Sequence, residues 1–203
     1  MNREDFPMIK EKYIYLNNAA TTFKPNVVLE STKKFYTNYN SNLNRGIDSL
    51  AYHATNMFEE ARKKVANFIN ANNDEIVFTR GTTDSINMVA RMLENSINED
   101  DEIIVSIIEH HSNFVPWQKL CQRKKAKLIV LNVDNNGLVN LNELKNKVSN
   151  KTKIVSFNHV SNTFGGRNNL KEISKIVLNN NPLFKFNGAQ EIVIKKEKFK
   201  NNN

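Results

Sequence analysis

From residue 75 onward, short apolar runs alternate with longer segments whose apolar positions recur every three or four residues. The runs at 76–78, 103–107, 127–131, 154–157 and 183–186 are rich in Ile, Val, Leu and Phe and predict strands. The segments between them, over about 83–95, 115–124, 142–148 and 170–179, predict helices. Strands joined by helical connections imply a mainly parallel sheet covered on both faces, a three-layer α/β fold. Before residue 75 the pattern differs. A short extended start at 13–16 precedes a helix that Pro25 opens and that runs to about Tyr39, where Val27, Val28, Thr32, Phe35 and Tyr36 form a stripe expected to be buried. The longest helix is predicted over 49–70, with Met57, Ala61, Val65 and Phe68 as its apolar face. Residues 134–137, Asp-Asn-Asn-Gly, predict a turn, and no internal repeat is visible.

Composition narrows the class without naming it. Of 203 residues, 39% are hydrophobic and 25% charged, which fits a soluble globular protein. No apolar run approaches the roughly 18 residues that a membrane span needs, and the first 15 residues lack the apolar core of a secretory signal. The expected location is the cytoplasm or an organelle stroma, with no membrane partner. The net charge of +8 raises nucleic-acid binding. Yet the lysines are scattered over helices, no recognition motif accompanies them, and the one dense cluster lies at 195–200, so no nucleic-acid partner is expected. The single cysteine, Cys121, cannot form an internal disulfide and reads as a small buried hydrophobe.

Four polar motifs follow predicted strands: Thr79-Arg80-Gly81-Thr82-Thr83, Glu109-His110-His111-Ser112-Asn113, His159-Val160-Ser161-Asn162 and Asn187-Gly188-Ala189-Gln190. Loops at that end of a parallel sheet collect ligands. A Gly ahead of a helix lets backbone approach an anion, and the helix start offers unpaired N–H groups, with Thr82 and Thr83 adding hydroxyls. The same Thr residues also serve as ordinary helix caps. His110 has an imidazole suited to stacking on a flat ring or relaying a proton. The adjacent His111 points elsewhere, and no second Cys/His cluster completes a zinc site, so no metal is expected. Asn162 is an amide able to donate to a ligand oxygen, or simply a turn residue before Gly165-Gly166.

Taken in order, and with residues 15–22 (Tyr-Leu-Asn-Asn-Ala-Ala-Thr-Thr), these motifs resemble the cysteine desulfurases of the class V aminotransferase family, fold-type I pyridoxal phosphate enzymes. The likeness is to the branch that supplies iron–sulfur cluster assembly. The resemblance implies that Thr82 and Thr83 hold the cofactor phosphate and that His110 stacks on the ring and serves as an acid–base candidate. It further implies that Asn162 and Gln190 contact the phenolate side, and that Arg45 keeps its place in a substrate loop. Departures are specific. Asn187 stands where the family has the aspartate that keeps the pyridine nitrogen protonated, and Asn17 also replaces an aspartate. Asn44-Arg45-Gly46 and Asp48 replace a segment carrying two histidines.

The resemblance implies an N-terminal arm over 1–24, a partial pyridoxal-phosphate-binding large domain over 25–190 and a lysine- and asparagine-rich tail over 191–203. It stops near Gln190, ahead of the family's cofactor-anchoring lysine, sulfur-accepting cysteine and small C-terminal domain. The expectation is therefore a truncated desulfurase that acts on L-cysteine in its full form but is inactive as this chain, a homodimer in the family with a sulfur-acceptor protein as partner. The alternative is a non-catalytic paralogue that binds a partner.

Overall fold

The computed structural model of the chain describes residues 2–9, 14–178 and 183–189. They form two compact units, one running to Val77 and the other starting at Phe78.

The first unit carries two helices, α1 (Asn26–Asn38) and α2 (Ser49–Ile69). Pro25 stands at the N-cap of α1, where its missing N–H costs nothing. The stripe expected to be buried on α1 is not: the helix buries no residue, and Val27 and Tyr36 remain 61% and 68% exposed. A second correction concerns α2. Its buried positions are Ala51, Ala54 and Ala66, while Met57, Val65 and Phe68 stay about two-fifths exposed and Ala61 is exposed. An apolar stripe marks a face able to bury; what packs on it decides whether it does. On α2 the contacting face is the alanine face, which permits close approach. Asp48 caps this helix by accepting the Ala51 N–H at 2.9 Å.

The predicted strand at 76–78 is also corrected. Ile76 is extended and buried, and its carbonyl accepts from the Arg62 guanidinium. Even so, the run stays outside the sheet, with Val77 and Phe78 69% and 45% exposed. Apolar β-formers make a strand only where another strand supplies a ladder.

The second unit runs α3 (Thr82–Met92), β1 (Glu102–Ser106), α4 (His111–Lys124), β2 (Lys127–Leu131), α5 (Leu141–Lys147), β3 (Thr152–Asn158), α6 (Leu170–Leu178) and β4 (Leu183–Asn187). Its sheet has the order β2-β1-β3-β4, and every neighbouring pair is parallel. Alternate residues face opposite layers, as the strand period requires. Ile103, Val105 and Ile154 pack with Ile86 and Ala90 of α3 and with Trp117, Leu120 and Cys121 of α4. Ile104, Val155 and Phe157 pack on the other face with Leu144 of α5 and with Ile173 and Val177 of α6. The three-layer α/β expectation holds, and strands over the last four predicted runs are present.

One boundary moved with consequence. Helix α4 begins at His111, four residues before the predicted start, and passes through Pro116. Pro116 lacks the N–H that would bond the Ser112 carbonyl, so the helix runs on past one missing backbone bond. The earlier start turns His110 into the N-cap.

Candidate active site at the strand ends

The chain leaves β1 over α4 to reach β2, on one side, and leaves β3 over α6 to reach β4, on the other. The strand order thus reverses between β1 and β3, and the loops after these two strands part over opposite faces. In an open parallel sheet that crevice is where ligands bind. His110 follows β1, Asn162 follows β3 and Asn187 ends β4, so the structure gathers these three on one sheet edge.

His110 is exposed but not loose. Its Nδ1 accepts the Ser112 backbone N–H at 3.1 Å and lies 2.8 Å from the Ser112 hydroxyl. An accepting Nδ1 puts the proton of the neutral ring on Nε2. The neighbouring His111 ring sits edge-on at 6.2 Å, pointing elsewhere.

Beneath His110 lies a buried polar network that sequence reasoning did not single out. Ser106 Oγ donates to Glu109 Oε1 at 2.6 Å, and the Asn158 backbone N–H donates to the same oxygen at 3.0 Å. Asn113 Nδ2 donates to Glu109 Oε2 at 2.7 Å. Asn113 Oδ1 in turn accepts from Trp117 Nε1 at 3.1 Å and from Ser156 Oγ at 2.7 Å. Glu109 is 8% exposed, and Ser106, Asn113, Trp117 and Ser156 are fully buried. Buried polar groups persist only when bonded, so this network fixes the ends of β1 and β3 and the start of α4 relative to one another. The available signal was spacing: Glu109, Asn113 and Trp117 recur every four residues, one face of a helix. Asn168 extends the fastening. Its Nδ2 donates to the Asn158 carbonyl at 2.9 Å, and its Oδ1 accepts the Val139 N–H at 2.9 Å.

Asn162 sits in the turn after β3, where Ser161 Oγ accepts the N–H groups of Thr163 and Phe164 at 3.2 Å each. The turn closes with Ser161 N–H donating to the Gly166 carbonyl at 3.0 Å. Asn162 is exposed, and among the described residues its amide has no hydrogen-bond partner. The turn reading and the ligand reading are therefore compatible, since the turn is built by Ser161.

At the end of β4, Asn187 is half-buried. Its side-chain Oδ1 accepts the Ala189 N–H at 3.1 Å, and its backbone carbonyl accepts the His159 N–H at 3.0 Å. Gln190 lies outside the described residues.

Thr82 and Thr83 form the first turn of α3, which shares a layer with α4. Gly81 precedes them at φ +146°, a conformation that side chains disfavour, and a Cβ there would meet open space. No side chain caps this helix. Thr79 Oγ1 instead bonds Ser85 Oγ at 2.7 Å, fastening the loop from one side while the first N–H groups and both Thr hydroxyls stay open. Asp84 puts a carboxylate in the same turn, but it folds back to accept the Arg80 N–H at 3.3 Å. An uncapped helix start preceded by glycine fits a phosphate.

Arg45 belongs to the first unit. Its loop is held by Asn44, whose N–H donates to Thr55 Oγ1 at 3.0 Å, and by Gly46, where a Cβ would lie 1.9 Å from that of Ala51. Cys121 is 4% exposed, and burial pushes its thiol up to about 11. Among the described residues no three His, Cys, Asp or Glu side chains gather in a metal-binding group, and no helix is long and apolar enough to cross a membrane.

Comparison with known proteins points one way. The aminotransferase class-V family description matches residues 14–202. A cysteine desulfurase of Synechococcus elongatus is 40% identical over 197 residues, covering 94% of this chain and 32% of its own length. The cysteine desulfurase SufS of Plasmodium falciparum is 39% identical over 183 residues, covering 87% of this chain and 34% of its own. Among solved structures, the cysteine desulfurase CsdA of Escherichia coli superposes with a TM-score of 0.85 at 35% identity, over 96% of this chain and 49% of that one. The chain thus spans about a third to a half of the length of these relatives.

Proposed function

Since the chain belongs to the aminotransferase class-V family, we propose that its strand-end loops bind pyridoxal phosphate and that its reaction is that of a cysteine desulfurase. The observation that carries this reading is the crevice between β1 and β3, where His110 and Asn162 flank the point of strand reversal, with Asn187 on the next strand. Bound there, pyridoxal phosphate would supply an electron-withdrawing ring that weakens the bonds at an amino acid's Cα.

The chain's own residues take the following parts. The N–H groups and hydroxyls of Thr82 and Thr83 hold the phosphate at the start of α3. The His110 ring, held by Ser112 at Nδ1, would stack on the cofactor ring with Nε2–H left free. The amide of Asn162 donates to the phenolate oxygen. Asn187 would face the pyridine nitrogen, and the family resemblance adds Gln190 on the phenolate side.

The overall reaction moves the sulfur of L-cysteine onto an enzyme thiol, leaving L-alanine and a persulfide. Cys121 does not supply that thiol, because it is buried and its thiolate is disfavoured at neutral pH. The 203 residues are therefore read as the cofactor-holding part of the activity. In this reading the protein acts as a homodimer in the cytoplasm or an organelle stroma and passes sulfur to an acceptor protein for iron–sulfur clusters. The exposed apolar residues of α1 support a subunit contact.

The test is a titration of the chain with pyridoxal phosphate, followed by absorption, alongside His110→Ala. Saturable binding that His110→Ala weakens and shifts in wavelength supports the reading. Absence of saturable binding overturns it. An alanine-release assay with L-cysteine on the same samples is expected to give no turnover above free pyridoxal phosphate.

A further inference from the structure

Asn187 stands where the family resemblance implies an aspartate, and the structure shows which of its atoms is left for a ligand. A backbone N–H is an unambiguous donor, so the side-chain atom that meets Ala189 N–H at 3.1 Å is Oδ1. The same bond would form with an aspartate, whose second oxygen would then be the free atom. The substitution therefore keeps the local turn and changes only the atom beyond it. A carboxylate oxygen, an acceptor, is replaced by Nδ2, a donor of two hydrogens. Nothing among the described residues occupies Nδ2.

The backbone around Asn187 leaves little scope for the amide to turn over. Its carbonyl is tied to His159 N–H at 3.0 Å, and it pairs with Asn158 in the β3–β4 ladder. Reversing the amide would set Nδ2 against the Ala189 N–H, donor against donor.

We propose that Asn187 makes this a site for an unprotonated pyridine nitrogen, the nitrogen accepting a hydrogen bond from Nδ2 instead of donating one to a carboxylate. The inference rests on the cofactor reading above, and it specifies the form of ring the chain selects. A ring nitrogen that carries a proton would point N–H at N–H here and find no counter-charge in this side chain. The lone pair of the neutral ring meets a donor. Selection is therefore by hydrogen-bond polarity, set by one atom.

The experiment uses the 203-residue chain with two probes, pyridoxal phosphate and its 1-deaza analogue, in which C–H replaces the ring nitrogen. The expected result is roughly tenfold weaker binding of the analogue, the loss of one hydrogen bond. In parallel, the ¹⁵N resonance of ¹⁵N-labelled pyridoxal phosphate bound to the unaltered chain is expected at the position of an unprotonated, hydrogen-bonded pyridine. On Asn187→Asp it should move to the pyridinium position. Equal affinity for the two probes, or a pyridinium resonance on the unaltered chain, overturns the inference while leaving the cofactor reading standing. Failure of both probes to bind overturns the cofactor reading and this inference with it. If Asn187→Asp does not fold, the resonance and the analogue comparison on the unaltered chain decide alone.

Discussion

The floor and the rim of the β1–β3 crevice are built on opposite principles. On the floor, Glu109, Asn113, Ser106, Ser156 and the indole of Trp117 are buried and bonded to one another. On the rim, one or a few residues further along the same loops, His110 and Asn162 are exposed, and at the start of α3 the hydroxyls of Thr82 and Thr83 likewise have no partner among the described residues. Polar residues of similar type thus do two jobs. Where water is excluded, every donor must be answered inside the protein, and the result is rigidity. Where it is not, an unanswered donor costs little and remains available to a ligand. The rim can be left open because the floor is closed: a loop anchored by Glu109 holds its next residue in place without using that residue's own side chain.

This contrast breaks most visibly at Glu109. Glu109→Ala leaves the Ser106 hydroxyl, the Asn158 N–H and the Asn113 amide without their acceptor, all in buried positions. We expect a loss of about 3 kcal/mol or more, read as a lower urea midpoint. An unchanged midpoint would mean that the network is ornamental and that the floor–rim distinction fails.

Cys121 tests the sealing of the same layer. In the native state its thiol ionises near 11, against an ordinary value of 9.0. A raised pKa means that the folded state holds its proton after the unfolded chain has released it. The associated stability is fully present below about pH 9 and is lost as pH rises through about 11, amounting to at most roughly 3 kcal/mol. Cys121→Ala should flatten the alkaline fall in stability, and the native thiol should react with an aromatic disulfide reagent only as fast as the protein opens. Rapid stoichiometric labelling of the folded chain would contradict the burial.

The rim should respond the other way. Thr82→Ala combined with Thr83→Ala is expected to leave the urea midpoint nearly unchanged while weakening pyridoxal phosphate binding by roughly a hundredfold or more, as two lost hydrogen bonds to a charged group imply. A large fall in stability with no change in binding would put these residues on the floor instead.

The smallest effect belongs to the outer surface, where Arg123 pairs with Glu94 at 2.8 Å. Hydrogen bonding to Arg123 holds the Glu94 carboxyl below the usual carboxylate range, so this contribution is present at neutral pH and fades as pH falls through that lowered value. An exposed pair is screened, and Arg123→Ala should not shift the thermal midpoint measurably in moderate salt.

How much of this was legible beforehand follows the reach of the interactions involved. Apolar runs and their spacing located the four strands and the helices between them, because burial on both faces of a parallel sheet imposes a local composition. The motifs at 109–113, 159–162 and 187–190 were legible as polar segments at strand ends, since a strand and the loop after it are written contiguously in the chain. What tertiary structure alone decided depends on distant partners. Residues 76–78 have a strand's composition yet lie outside the ladder, and α1 has an apolar stripe yet buries none of it. The floor network joins Asn113 to Ser156 across 43 residues and Glu109 to Asn158 across 49. No local pattern encodes such a bond. Asn187 shows the division within a single residue: the sequence determined that an amide stands where the family resemblance implies an acid. Only the folded turn, by committing Oδ1 to Ala189, decided that the atom left to meet a ligand is a donor.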